Sequence, residues 1–406
     1  MKLVKRFRAV AKKMVPVSLR ESLCYRKGAR QFRRIAATRR PVADLPWGVN
    51  VYGNVGGAFG LSESCRGVAA GLQAAGIPVA VHDSSLPTEG EAASPYRVNL
   101  IHANPNHLPA FRKNIAEPLW KRRYNIGYWM WEQERLPKQW LRFLPLFDEL
   151  WTMSEFVADA IRKDCDLPVT VIPHAVDPKL DPSCGRAFFG LPEGLFLVLI
   201  AFDYFSAIER KNPEGAIDAF CRAFPPEERG VGLVIKARNL PPREQARLRA
   251  LLGGRKNVFF LTEDYEKTAV NSLLRAVDVY VSLHRAEGFG LILAEAMKLG
   301  TPVVATDWSA NTEFMDDSSA CMVPARLVTL QKNYYPFLKG SRWAEPDTAA
   351  AAGFLRRLKD DAAYRGAIAA GGAEHIGRIL NREAVCAALT RRMEQIASLS
   401  DERKNG

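Results

Sequence analysis

No two cysteines in this sequence form a C-x-x-C pair; Cys24, Cys65, Cys165, Cys184, Cys221, Cys321 and Cys386 are scattered singly. An odd, unspaced set excludes a disulfide framework and reads as reduced thiols in a cytosolic protein. No His or Cys cluster has metal-ligand spacing, so no metal is expected. No apolar run approaches the roughly 20 residues that span a bilayer as a helix. The N-terminus also lacks the unbroken apolar core of a secretory signal, because Lys5, Arg6, Arg8, Lys12 and Lys13 interrupt it. No Gly-Lys-Ser/Thr follows a glycine cluster and G-x-G-x-x-G is absent, which excludes a Walker A loop and the usual dinucleotide fingerprint.

Acidic residues are nearly missing from positions 1–40, which hold fourteen Lys or Arg and one acid, Glu21. The other 366 residues balance 43 basic against 43 acidic side chains, so the net charge of +13 belongs to this leader. Within residues 2–14, Leu3, Phe7, Val10, Ala11 and Met14 recur at helical spacing among cations. Such a helix can lie in the plane of an anionic membrane, and a solvated tail and a nucleic-acid arm are the competing readings. The neutral body offers no basic face, which argues against nucleic acid. The expectation is a cytoplasmic protein with a peripheral hold on the inner face of the membrane.

What is present is a soluble globular composition, 48% hydrophobic and 25% charged, over 406 residues. That length predicts two domains. From Val49 short apolar runs alternate with helical patterns, the sign of parallel sheets covered by helices. The first set of strands is Val49–Tyr52, Pro78–His82, Val98–His102, Asn125–Trp129, Glu149–Thr152 and Val169–Pro173, with helices at Ser62–Ala75 and Ser154–Lys163. A Pro- and Gly-rich stretch follows. The pattern then restarts with strands Phe196–Phe202, Gly232–Lys236, Val258–Leu261, Val279–Leu283 and Pro302–Thr306, and helices at Pro213–Phe224, around Leu273–Ala276 and at Leu291–Leu299. The fold class is therefore α/β, two Rossmann-like parallel-sheet domains facing across a cleft. The predicted divisions are the leader 1–40, a first domain 41–176, a linker 177–192, a second domain 193–380, and a terminal helix 381–406 returning to the first domain.

The segment His284–Phe314 carries most of the chemistry. A strand ends at His284, the chain turns through Glu287-Gly288-Phe289-Gly290, and a helix containing Glu295 follows. Glycines there let a ligand approach the backbone, and free amides at a helix start favour negative charge. Glu287 and Glu295 beside a diphosphate would need hydroxyl donors as partners, and vicinal diols supply them. Taken alone, such a pair reads as a capping acid and a solvated helix face; the glycine turn between them favours a site. Gly53, Gly56, Gly57 and Gly60 form a second glycine-rich turn after the first strand. Asp83, ending the next strand, mimics the acid of a dinucleotide site, so a nicotinamide oxidoreductase is carried as an alternative.

Glu287-Gly288-Phe289-Gly290 with Glu295-Ala296-Met297 and Gly300-Thr301-Pro302-Val303-Val304-Ala305 resembles the donor-site signature of family 4 glycosyltransferases, two-domain, metal-independent retaining enzymes. The resemblance runs over about residues 48–400 and is densest from 279 to 315. It implies that Glu287 touches the donor sugar, that the amides of Gly288, Phe289 and Gly290 line sugar and phosphate, and that Glu295 holds the ribose diol. Arg210 and Lys211 resemble the basic pair that neutralises the leaving diphosphate. Many relatives carry an Arg several residues earlier, where this chain has Asp203-Tyr204-Phe205-Ser206. Arg210 substitutes for it, or Lys236 helps.

Gly56 and Gly57 match a loop near donor phosphate and acceptor. Relatives often place a His near Tyr128-Trp129-Met130-Trp131-Glu132. This chain does not, which leaves Glu132 as the candidate; the two Trp fit sugar stacking and core packing equally. His174 resembles the interdomain turn and reads as ligand-facing or as a hinge. Asp164-Cys165-Asp166 spells the Asp-x-Asp of metal-dependent enzymes but reads as surface.

The resemblance implies a sugar-nucleotide substrate, no cofactor, and a glycan or lipid-linked acceptor in surface polysaccharide synthesis. Beside the oxidoreductase, a non-catalytic module binding sugar nucleotide or membrane is the other rival.

Overall fold

The computed structural model describes residues 28–40, 44–57, 60–88, 90 and 92–405. The first lobe is built on a six-stranded parallel sheet of β1 (Val49–Gly53), β2 (Val79–Asp83), β3 (Val98–His102), β4 (Tyr124–Tyr128), β5 (Glu149–Thr152) and β6 (Val169–Val171), in the order β2-β1-β3-β4-β5-β6. The second lobe holds β7 (Phe196–Asp203), β8 (Val231–Arg238), β9 (Val258–Leu261), β10 (Val279–Ser282), β11 (Val303–Thr306) and β12 (Cys321–Val323), in the order β12-β11-β10-β7-β8-β9. Their near-continuous Val, Leu and Ile content suits strands buried on both faces by helices. The direction in which successive strands are added switches between β1 and β3 in one sheet and between β7 and β10 in the other, while all strands stay parallel. Ligands of doubly wound sheets bind beyond the strand C-termini at such points.

Helix α1 (Gly60–Ala74) follows β1, α2 (Glu155–Arg162) follows β5, and α3 (Pro213–Ala223) and α4 (Leu291–Lys298) follow β7 and β10. The last helix, α5 (Arg382–Asn405), crosses back onto the first lobe. There Leu389 lies against Gly71 and Arg392 pairs with the fully buried carboxylate of Glu149. In the first sheet three buried asparagines stand side by side in register: Asn50 donates to Asn99 (3.1 Å) and Asn99 to Asn125 (2.9 Å). A one-residue slip would leave these amides unpaired in the core, so they fix the register that sets the ends of β1 and β3.

Two expectations change. Residues 28–40 belong to the first lobe rather than to a detachable leader. Positions 28–37 are helical, and buried Phe32 meets Trp120 and Phe143 edge-on at 5.3 and 5.8 Å while Arg30, Arg33 and Arg34 stay outside. A basic helix with an apolar stripe packs as readily on a protein core as on lipid. The amphipathic segment 2–14 lies outside the described residues. The second change is an antiparallel hairpin, β13 (Ala325–Thr329) and β14 (Arg342–Pro346), which the sequence reading did not contain. Among the described residues no helix is long and apolar enough to cross a membrane.

Candidate functional site

A cavity of about 920 Å³ opens between the lobes, over both switches in strand order. Gly56, Gly57 and Gly60 of the β1–α1 turn line it from the first lobe, with Glu63 and Arg66 of α1. From the second lobe come Ala201–Asp203 at the end of β7, Lys236 and Arg238 of β8, Tyr265 and Lys267, Tyr280 and Ser282 of β10, then Glu287 and Gly290. Residues some 230 positions apart thus face one space, and six of the twelve predicted site residues are among them.

Arg66 holds the glycine turn in place, donating to the carbonyls of Val55 (2.6 Å) and Gly57 (2.9 Å) and pairing with Glu63 (2.6 Å). Asp83 accepts the amides of Gly56 (3.1 Å) and Ser85 (2.8 Å), so both its oxygens serve the loop. This employment weakens its reading as a ribose ligand in a dinucleotide site.

Opposite, Lys211 ends a short helix flanked by Ala207 and Asn212, both left-handed at φ 55° and 51°. Asn212 fixes this strained bend by donating to the Leu283 carbonyl (2.9 Å) and accepting from Gly215 (3.2 Å). Lys211 and Arg210 thereby meet Glu287, whose Oε2 lies 2.6 Å from Lys211 Nζ and 3.1 Å from Arg210 Nη1. Burial works to raise the Glu287 pKa, but Lys211 and Arg210 outweigh it and hold the carboxyl well below the usual range. Burial pushes the Lys211 pKa down, partly offset by Glu287. Lys236 is buried, 7% exposed, with Nζ donating to the Glu263 carbonyl (2.9 Å) and lying 5.2 Å above the Tyr265 ring. Among the described residues no carboxylate comes within ion-pair distance of it.

Glu295 does not line the cavity. It is 5% exposed and pairs with Lys267, which does. Burial raises the Glu295 pKa, with Lys267 opposing. Lys267 was missed because it opens a helix 28 positions upstream, with no local signal linking it to the Glu295 turn. Arg66 and Arg238 were missed for the same reason.

Other predicted residues lie behind the cavity wall. Arg210 is 5% exposed and donates to the Ala286 carbonyl (2.8 Å), with Glu132 at 3.8 Å. Burial pushes the Glu132 pKa up, Arg210 opposing. Gly288 presses on the first lobe: an added Cβ would meet the Trp131 carbonyl at 2.5 Å, and its own carbonyl accepts from Ser154 (2.8 Å). Phe289 packs between His174 and Phe314, at 4.8 and 5.4 Å. His174 stacks 6.5 Å from Tyr128, and burial takes its pKa down to about 4, so it is neutral near pH 7. Gly288, Phe289 and His174 therefore close the lobe interface instead of lining the cavity. Trp129 and Trp131 are core residues, 0% and 3% exposed, not sugar platforms.

His284 is bonded to Asn311 (2.9 Å) and His102 to Ser64 (2.8 Å), both inside the fold. Asp164 pairs with exposed Arg135 at 3.6 Å. Among the described residues no group of three or more His, Cys, Asp or Glu is placed to hold a metal.

Residues 204–330, most of the second lobe's site, match the family model described as glycosyl transferases group 1. Lipopolysaccharide core biosynthesis mannosyltransferase LpsB of Rhizobium meliloti (strain 1021) is 28% identical over 240 residues, covering 55% of this chain. That alignment spans 63% of LpsB, less than two thirds of its length. Sucrose-phosphate synthase from Thermosynechococcus elongatus superposes with a TM-score of 0.64 at 16% identity, covering 87% of this chain and all of that one. Anabaena HepE in complex with UDP-glucose gives 0.62 at 17%, again over 87% and 100%. The two facing lobes are thus the GT-B fold.

Proposed function

We propose that this chain moves a sugar from a nucleoside diphosphate sugar to a glycan or lipid-linked acceptor, with retention at the anomeric carbon. The observation that carries the reading is Lys236: a buried ammonium that no described carboxylate reaches at ion-pair distance, with Asp264, Glu263 and Asp203 acting on it only from further off, facing the same cavity as Lys211 at the β7/β10 switch in strand order. Such a cation calls for an anionic ligand, and a diphosphate fits the site. The amides of Gly56 and Gly57 line the opposite wall, although Asp83 and Asn54 already accept from them. Glu287 and Gly290 border the sugar, and Glu295, behind Lys267, is the candidate for the ribose diol.

In the reaction the bond from the anomeric carbon to the phosphate oxygen breaks and one to the acceptor oxygen forms on the same face. The acceptor proton passes to the departing diphosphate, so no protein nucleophile or base is assigned. Lys211 and Lys236 stabilise the charge that grows on the leaving group; Arg210, behind the wall, orients Glu287. LpsB, named for lipopolysaccharide core biosynthesis, supports a surface polysaccharide as the product class, and HepE with UDP-glucose supports the donor class.

The test is a thermal-shift screen of the purified chain against UDP-, GDP- and dTDP-sugars, followed by donor hydrolysis. Stabilisation by one donor class and hydrolysis lost in Glu287→Ala are expected. Tight binding without turnover under any acceptor condition would make the chain a binding module, and nicotinamide absorbance in the purified protein would make it an oxidoreductase.

A further inference from the structure

The hairpin of β13 and β14 is no part of the donor cavity, and its composition is unlike the rest of the body. Residues 325–346 contain Arg326, Lys332, Lys339 and Arg342 against one acid, Glu345, which Arg285 engages, in a body whose charges balance as a whole. Arg342 is taken up by Glu134 of the first lobe (2.9 Å). Arg326, Lys332 and Lys339 are exposed. Between the strands the chain forms an ordered loop: Leu330 and Ser341 bond at 2.8 Å, Tyr334 and Phe337 bond in both directions, and the Lys339 amide donates to Asn333. Leu330, Phe337 and Trp343 point inward, 3%, 1% and 4% exposed, and Phe337 reaches Trp131 at 5.6 Å. The loop's own core is therefore complete. Tyr335 at 54%, Leu338 at 46% and Leu327 at 39% nevertheless stay in solvent, three of the ten large hydrophobics exposed on the described surface.

Outward aromatic and aliphatic side chains interleaved with exposed cations, Lys332 lying 4.9 Å over the Tyr334 ring, on a loop with no acid between the strands, suit one partner chemistry. An anionic bilayer surface receives the apolar tips at the headgroup boundary while lysines meet the lipid phosphates. A nucleic acid would use the cations but leave Leu327 and Leu338 without a role. The hairpin's base grips residues flanking the catalytic cluster, since Arg285 binds Glu345 through two nitrogens (2.8 and 2.9 Å) and Gln133 reaches the Arg342 carbonyl (3.5 Å). We infer that this hairpin is a membrane-docking element that lays the Glu132 side of the cleft against an anionic lipid surface. The contact stands apart from residues 1–40 and does not depend on the identity of the donor.

The test is flotation of the full chain with vesicles of phosphatidylcholine, with and without phosphatidylglycerol. Binding should require the anionic lipid. Lys332→Gln with Lys339→Gln should weaken it about 25-fold, at roughly fivefold per cation. Tyr335→Ser with Leu338→Ser should weaken it about tenfold with charge unchanged. These positions touch nothing in the cavity, so donor hydrolysis without vesicles stays at the parental rate; its absence in the parent would count against the donor reading alone. If either pair unfolds the chain, the four single substitutions are read instead. Vesicle binding untouched by both pairs, as it would be if residues 1–27 carried it, overturns the inference. So does loss of oligonucleotide binding with vesicle binding intact.

Discussion

Glu287→Gln separates the electrostatic reading of the site from a merely structural one. In the parent, Glu287 and Glu132 balance Arg210 and Lys211, and the Glu287, Arg210 and Lys211 side chains are only 16%, 6% and 21% exposed. Removing one partner of a buried pair costs about 3–5 kcal/mol. The amide keeps an acceptor and the site opens on a cavity, so the loss should be nearer 2–3 kcal/mol. For a lobe of this size that lowers Tm by roughly 4–12 °C. The Glu287 carboxyl is held below its unfolded pKa of about 4.3, so its stabilisation is complete above that pH and fades as pH falls towards the native value. The variant's deficit, measured by urea unfolding, should therefore be constant from pH 8 to about 5 and shrink below pH 4. Removing a negative charge beside the diphosphate should also tighten UDP or GDP binding by roughly tenfold while sugar turnover falls by at least about 100-fold. Equal unfolding midpoints at pH 7, or weaker binding of the nucleoside diphosphate, would refute the reasoning.

Three further outcomes are expected. Gly288→Ala puts a methyl 2.5 Å from the Trp131 carbonyl, so the lobes must part; donor turnover should drop at least about tenfold with the second lobe's stability nearly unchanged, and parental turnover would contradict the contact. Glu295→Gln should raise the nucleoside diphosphate Kd about tenfold by calorimetry, the worth of one charge-assisted hydrogen bond, and an unchanged Kd would remove Glu295 from the site. His174 is buried neutral with its pKa taken down to about 4, so the unfolded chain binds the extra proton and stability is lost as pH falls from 6.5 towards 4. His174→Gln should flatten that slope by on the order of 2 kcal/mol in urea unfolding, and an identical slope would mean that His174 does not contribute to it.

Much of the architecture was legible because burial leaves a local periodic trace. Val98–His102, Glu149–Thr152 and Val258–Leu261 have the bounds expected from their apolar runs, and both glycine turns fall where strands end. The hairpin at 325–346 was not legible, since strands paired only with each other and exposed along one edge carry no apolar alternation. Residues 28–40 were grouped with the leader on charge alone, and the buried Phe32 and Ile35 that dock this stretch on the first lobe stand singly among its cations.

The sequence by itself determined the two parallel sheets, the glycine turns and the Glu287/Glu295 spacing, all properties of neighbouring residues. Tertiary structure decided which members of that segment face the cavity. Glu287 and Gly290 do, while the lobe interface takes Gly288 and Phe289 and Lys267 stands over Glu295. Ion pairs and close backbone contacts join residues dozens to hundreds of positions apart, and only the packed lobes set the distances that make them.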